Sequence, residues 1–128
     1  MNHLDRVREL RAATDVHYNC AQSLLVAFAD VCGITEDEAM ALGSGFGGGM
    51  QCGETCGTLT GATMILGMAK GDASADMRAI RQEFRANHVG TQCRELLAAS
   101  AQAGVPRKQH CDGLVFDMCE ELDRLLED

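Results

Sequence analysis

Seven cysteines, at positions 20, 32, 52, 56, 93, 111 and 119, are the residues of this 128-residue chain best suited to chemistry. A thiolate attacks disulfides and binds soft metals, whereas a protonated thiol does neither well. Seven is odd, so complete internal disulfide pairing is impossible. Position then divides the set. Cys20, Cys56, Cys93 and Cys111 each fall within about one turn of an expected helix start. There, unpaired backbone N–H groups and roughly half a positive charge favour the thiolate. Cys32 falls at an expected helix end and Cys119 on an apolar stripe, where cysteine serves as a small hydrophobe. Cys52 belongs to a loop, either as a further exchanging thiol or as a neutral loop residue. No C-x-x-C occurs, which counts against zinc-ribbon and thioredoxin-like motifs. Without C-x-x-C-H, c-type haem attachment is excluded.

The other candidates are weaker. Gly43, Gly45 and Gly48 match G-x-G-x-x-G, but they follow a helical pattern rather than a strand, so no nucleotide site is expected. A backbone that needs positive φ, or passes close to a buried centre, accounts better for the glycines. Gly47, Gly48, Gly49 and Gly57 are the backbone positions expected to face a cofactor. His17 lies three residues before Cys20, His88 five before Cys93, and His110 directly before Cys111. Each can tune a thiolate, although isolated histidines near helix ends usually act as polar caps. The acidic runs Glu36-Asp37-Glu38 and Glu120-Glu121 suit helix starts and solvated faces. Met64, Met68, Met77 and Met118 recur at helical spacing, as core filler does.

The elements that position these residues read as helices throughout. Leu4 to about Ala13 is a short charged helix. From Asn19 to about Val31, apolar residues recur at helical spacing, with Asn19 as cap and Gly33 as stop. Thr35 and Glu38 form a capping-box pattern that opens a helix towards Leu42. Ten of the 14 glycines fall between Gly43 and Gly71. The run from Gly43 to Met50 must be a loop, because each glycine costs a helix about 1 kcal/mol. A helix of small residues follows from about Gly53 to Ala69. Gly57 and Gly61, one turn apart in it, admit a close neighbour, which places this helix at the centre. Asp72 or Ser74 caps a charged amphipathic helix to about Asn87, and Thr91 to Ala103 forms the next. Gly104 and Pro106 stop that helix, and a last one spans about His110 to Leu126. The expected fold is all-α: a bundle of six or seven helices with a central glycine-rich loop and helix, in one domain over residues 1–128.

Helix parity puts Cys20, Cys56 and Cys93 at one end of an up-and-down bundle. The six residues from Gly104 to Gln109 span about 20 Å when extended. That suffices to bring Cys111 back past a helix of about 18 Å to the same end.

Composition narrows the partners. Lys and Arg total 11 against 19 Asp and Glu, a net charge of −8. That argues against nucleic acid and anionic membrane surfaces. No apolar run approaches the roughly 20 residues of a membrane helix. The opening residues, Met1 to Arg6, lack the apolar core of a signal peptide. A cytoplasmic, reducing setting is the expectation, and there clustered cysteines serve chemistry or metal binding rather than cross-linking.

The order of motifs carries a resemblance. The segments Asn19-Cys20-Ala21-Gln22, Gly45-Phe46-Gly47-Gly48-Gly49-Met50, Gly53 to Ala62 around Cys56, and Cys93-Arg94-Glu95-Leu96-Leu97, with the later Cys111, resemble the C_GCAxxG_C_C family of redox-active proteins. The resemblance covers residues 16 to 120, with Thr58 where the family usually has alanine. It implies that Cys20, Cys56, Cys93 and Cys111 are the characteristic cysteines, and that Cys32, Cys52 and Cys119 are additional. It also implies a redox role, and a relation to part of the split-Soret cytochromes suggests an iron–sulfur analogy without haem. Two chemistries fit four such thiolates: ligation of an iron–sulfur cluster, or dithiol pairs that exchange electrons with a redox partner protein. A module in which the four cysteines hold structural zinc and a helical adaptor with packing cysteines are the alternatives. The glycine-lined helix also permits a homodimer.

Overall fold

The computed structural model describes residues 2–127, and its regular structure is helical. The helices are α1 (His3–Ala12), α2 (Cys20–Ala27), α3 (Ala29–Cys32), α4 (Glu36–Gly43), α5 (Gly57–Lys70), α6 (Ser74–Asn87), α7 (Cys93–Gln102) and α8 (Arg107–Leu126). The all-α expectation holds. The count among the described residues is eight, one above the expected range. The expected helix from Asn19 to Val31 breaks at Phe28, whose φ of −101° and ψ of 11° leave the helical region. Phe28 is fully buried there, and the short α3 continues to Gly33 in the left-handed conformation.

Helix α2 forms the centre of the bundle. Residues 21–27 are buried all round, as a helix enclosed by neighbours requires. It packs against α5 and α4, and also touches α1 and α8. The glycine-bearing α5 lies directly against it. A Cβ at Gly61 would stand 3.3 Å from Ala21 Cα, so the missing side chain lets the two backbones approach. Leu24, Leu25, Phe28, Leu59, Ile65, Leu66 and Leu122 fill the core between these helices. Of the four methionines expected there, Met77 and Met118 are buried, whereas Met68 is exposed.

Two expected boundaries move. Helix α5 begins at Gly57 rather than Gly53, because the preceding segment is held extended by an antiparallel bridge between Thr55 and Gln92. Helix α8 begins at Arg107 rather than His110. Pro106 takes the cap position, where its fixed φ and missing N–H cost the helix nothing. The glycine-rich segment is a loop, as expected. Its end, Gly49–Gly53, coils through left-handed backbone, including the non-glycine residues Met50 (φ 60°) and Gln51 (φ 61°). No helix among the described residues is long and apolar enough to cross a membrane.

Candidate functional site

Each of the four characteristic cysteines is held by its own local device. Cys20 is the first residue of α2, behind a complete capping box. The Asn19 side chain accepts from the Gln22 N–H at 2.7 Å, and the Gln22 side chain accepts from the Asn19 N–H at 3.0 Å. Asn19 Nδ2 also donates to the Gly43 carbonyl at 3.0 Å, which locks this helix start to the end of α4. Cys56 and Cys93 are set side by side by the Thr55–Gln92 bridge. The Cys56 N–H donates to the Thr91 carbonyl at 2.9 Å, and the Cys93 N–H donates to the Glu54 carbonyl at 2.6 Å. One residue later the chain enters α5 after Cys56, and Cys93 itself opens α7. Cys111 differs from the expectation. With α8 starting at Arg107, it lies in the second turn rather than at the helix start.

All four cysteines line one small cavity of about 40 Å³, together with His110 and Arg107. Three of the four glycines expected near a cofactor, Gly48, Gly49 and Gly57, line it too. Gly47 does not. A Cβ there would meet the Asn19 side chain at 3.1 Å, so this glycine makes room for the cap of α2 instead. Gly57 is tightly packed, because a Cβ there would stand 3.1 Å from that of Cys20. Gly49 is the tightest point. Its φ is +66°, and a Cβ would lie 2.4 Å from the Glu54 carbonyl oxygen and 2.7 Å from Cys93 Cβ.

The thiols are electrostatically unequal. Cys20 and Cys111 interact as a pair that shares a hydrogen bond. The bond holds the Cys20 proton well above the usual thiol range, reinforced by burial. The same bond stabilises the Cys111 thiolate and, against the effect of burial and with help from Arg11 and Arg107, brings Cys111 down to about 6. Cys56 is pushed up by burial, although the Thr58 hydroxyl and the backbone N–H groups of Thr58 and Leu59 pull the other way. Its sulfur lies 3.1 Å from Thr58 Oγ1. Burial also raises Cys93, assisted by the neighbouring sulfurs of Cys56 and Cys111. The helix-start field therefore acts at Cys56 without winning. Of the four, the activated thiol is the one furthest inside its helix.

Arg11 and Arg107 are the residues that cysteine-centred sequence reasoning misses. Arg11 Nε donates to Asp112 Oδ1 at 2.7 Å, and its guanidinium also donates to the Tyr18 carbonyl at 2.8 Å. Its side chain is only 8% exposed, so this ion pair fixes the α1–α8 contact beside Cys111. Arg107 lies one turn before Cys111 on α8, where its positive charge favours the Cys111 thiolate. The spacing of four was available in the sequence as the only signal, and it required the correct start of α8.

The remaining cysteines stand apart. Cys119 is fully buried in the core, and Cys32 directs its sulfur to the Ile65 carbonyl at 3.9 Å. Cys52 is exposed in the left-handed loop, 3.2 Å from Glu54 Oε1. Of the histidines, His110 reaches the cavity with Nε2 buried and unpartnered, whereas His88 packs against Phe84 with the rings tilted. His17 lines a larger, open cleft of about 470 Å³ on the other side of Cys20 and Cys111.

Four cysteines around one cavity form the right donor set for a centre with four thiolate ligands. Their placement does not amount to a preformed ligand shell. Among the described residues, no three His, Cys, Asp or Glu side chains converge closely enough to hold a metal ion. What the arrangement offers as it stands is two thiols of opposed tendency, Cys20 towards the protonated form and Cys111 towards the thiolate, in the wall shared by the cavity and the open cleft.

A family model described as "Putative redox-active protein (C_GCAxxG_C_C)" matches residues 18–125 of the chain. Among curated proteins and solved structures, none matches.

Proposed function

This chain belongs to the C_GCAxxG_C_C family of redox-active proteins, and from that premise we propose that it works by thiol–disulfide exchange through Cys20 and Cys111. The observation that carries this reading is the opposed tuning of two adjacent thiols, one stabilised as a thiolate and its neighbour held protonated. A thiolate with a pKa close to ambient pH is the best compromise between abundance and intrinsic nucleophilicity. Cys111 attacks a disulfide sulfur and forms a mixed disulfide. Cys20, losing the proton it shared, attacks the Cys111 sulfur and closes an internal disulfide. A protein dithiol is thereby oxidised and the incoming disulfide reduced to two thiols. Cys56 and Cys93, both shifted towards the protonated form chiefly by burial, are further thiols around the same cavity. The cytoplasmic setting expected from the sequence supplies the reductant pool that such a dithiol needs, and a partner protein would turn it over.

A second reading rests on all four cysteines lining one cavity. Four thiolates would hold an iron–sulfur cluster, supplying one-electron chemistry, or a structural zinc. Either requires the sulfurs to be drawn inward from their present positions. Anaerobic purification followed by iron, sulfide, zinc and thiol assays separates the readings. Dithiol exchange predicts a colourless, metal-free protein whose seven thiols fall by two on mild oxidation and return on reduction. Stoichiometric iron and sulfide, with the four cysteines blocked to alkylation, would overturn it in favour of the cluster. One zinc per chain with the same four blocked would favour the structural module.

A further inference from the structure

The open cleft outside the thiol pair has its own chemistry. It measures about 470 Å³, within the range of small-molecule sites, and has Cys20 and Cys111 in its wall. Arg11, Arg107 and Lys108 line it, and none of its described lining residues is acidic. The carboxylate that pairs with these cations, Asp112, is engaged by Arg11 Nε at 2.7 Å and Lys108 Nζ at 3.0 Å. Three cations against one carboxylate leave the cleft positive, in a chain whose net charge is −8. Such a local reversal of sign concentrates anions at one place on an otherwise anion-repelling surface. Arg107 contributes twice, since it lines both the cleft and the cavity, one turn before Cys111 on α8. The cavity of about 40 Å³ is far smaller than the cleft of about 470 Å³, so the cleft is the side with room for a disulfide substrate.

We propose that this cleft is a binding site for a small disulfide bearing carboxylates, held by Arg107 and Lys108 with its sulfur–sulfur bond against Cys111. The proposal rests on the thiol-exchange reading above and names its substrate class. In the step, the Cys111 thiolate forms a bond to one substrate sulfur and the substrate S–S bond breaks, releasing one anionic thiolate. Cys20 then bonds to the Cys111 sulfur and expels the second substrate half. Cys20 gives up its proton, so the products are the Cys20–Cys111 disulfide, one thiolate and one thiol. The protein is oxidised by two electrons and the substrate reduced by two.

Three disulfides of similar size and different charge test this on the intact reduced protein: dithiodipropionate (dianionic), hydroxyethyl disulfide (neutral) and cystamine (dicationic). Dividing each rate of Cys111 modification by that of the same disulfide with free mercaptoethanol removes differences in intrinsic disulfide reactivity. Dividing by the iodoacetamide rate removes differences in nucleophilicity between wild type and variant. The expected order is anionic, neutral, cationic, with the extremes separated by at least roughly tenfold at low salt. The separation should shrink as ionic strength rises, and fall towards unity in the Arg107→Gln, Lys108→Gln double variant. Equal normalised rates for all three in the wild-type protein would overturn the anion site while leaving thiol exchange standing. Failure of all three to oxidise Cys111, with iodoacetamide still reacting, would overturn both.

Discussion

Arg11 on α1 and Asp112 on α8 meet at 2.7 Å, one residue from the thiolate they help to position. The pair has both a structural and an electrostatic consequence, and two substitutions separate them. Asp112→Asn and Arg11→Gln should each cost about 2–3 kcal/mol of stability, because each leaves a charge short of its main partner. Their effects on Cys111 should be opposite. Asp112→Asn frees positive charge beside the sulfur and lowers its pKa further. Arg11→Gln removes a stabilising cation and raises it. Chemical denaturation measures the first effect and a pH titration of alkylation the second.

Cys111 should be alkylated far faster than the other cysteines at neutral pH, with a rate that rises through a midpoint of about 6. The sign follows from the thiolate being the reactive form, so reactivity is lost as pH falls through that value. The largest cause of the shift is the hydrogen bond with Cys20. Cys20→Ala should therefore move the midpoint upwards by more than either arginine substitution. Iodoacetamide labelling across pH, resolved by peptide mass spectrometry, measures this directly.

The left-handed loop should be intolerant of side chains at one point above all. Gly49→Ala places a Cβ 2.4 Å from a carbonyl oxygen and 2.7 Å from Cys93 Cβ, at a φ of +66°. The loss of stability should be at least roughly 1–3 kcal/mol. Gly48→Ala shares the positive φ but has open space around it, so it should cost only the conformational penalty of about 1 kcal/mol. Thermal melts of the two variants provide the comparison.

His3 ties three helices through carboxylates. Nδ1 lies 2.6 Å from Asp123 Oδ1, Nε2 lies 3.0 Å from Asp30 Oδ1, and the ring stacks on Phe28. Burial alone would lower its pKa, but the hydrogen bonds to Asp123 and Asp30 outweigh it and the net shift is upward. A raised value means that its contribution is complete below the unfolded value of about 6.5 and lost as pH rises through the folded value. Solvent screening limits the effect to under about 1 kcal/mol. The wild-type melting temperature should fall slightly between pH 6 and 8, and His3→Gln should flatten that slope.

The sequence revealed which cysteines share one cavity better than it revealed their electrostatics. Capping residues and glycine stops, which are local signals, pointed to Cys20, Cys56 and Cys93, whereas Cys111 was reached by motif order and by a helix start placed three residues too late. Asn19, Thr35 and Gly33 act where local chemistry expects them. The start of α8 was less legible, since Pro106 reads equally as a stop for one helix and a cap for the next. That ambiguity hid the spacing between Arg107 and Cys111. The Thr55–Gln92 bridge is a contact between segments far apart in the chain, and no local pattern announces it. Nor does spacing show that burial would outweigh the helix field at Cys56 and Cys93.

The central claim is that Cys20 and Cys111 form the working disulfide. Mild oxidation of the reduced, metal-free protein, followed by alkylation of the remaining thiols and peptide mapping, tests it most directly. The account predicts a reversible Cys20–Cys111 cross-link with Cys56 and Cys93 still free. A cross-link that excludes Cys111, or oxidation confined to Cys52, would contradict it.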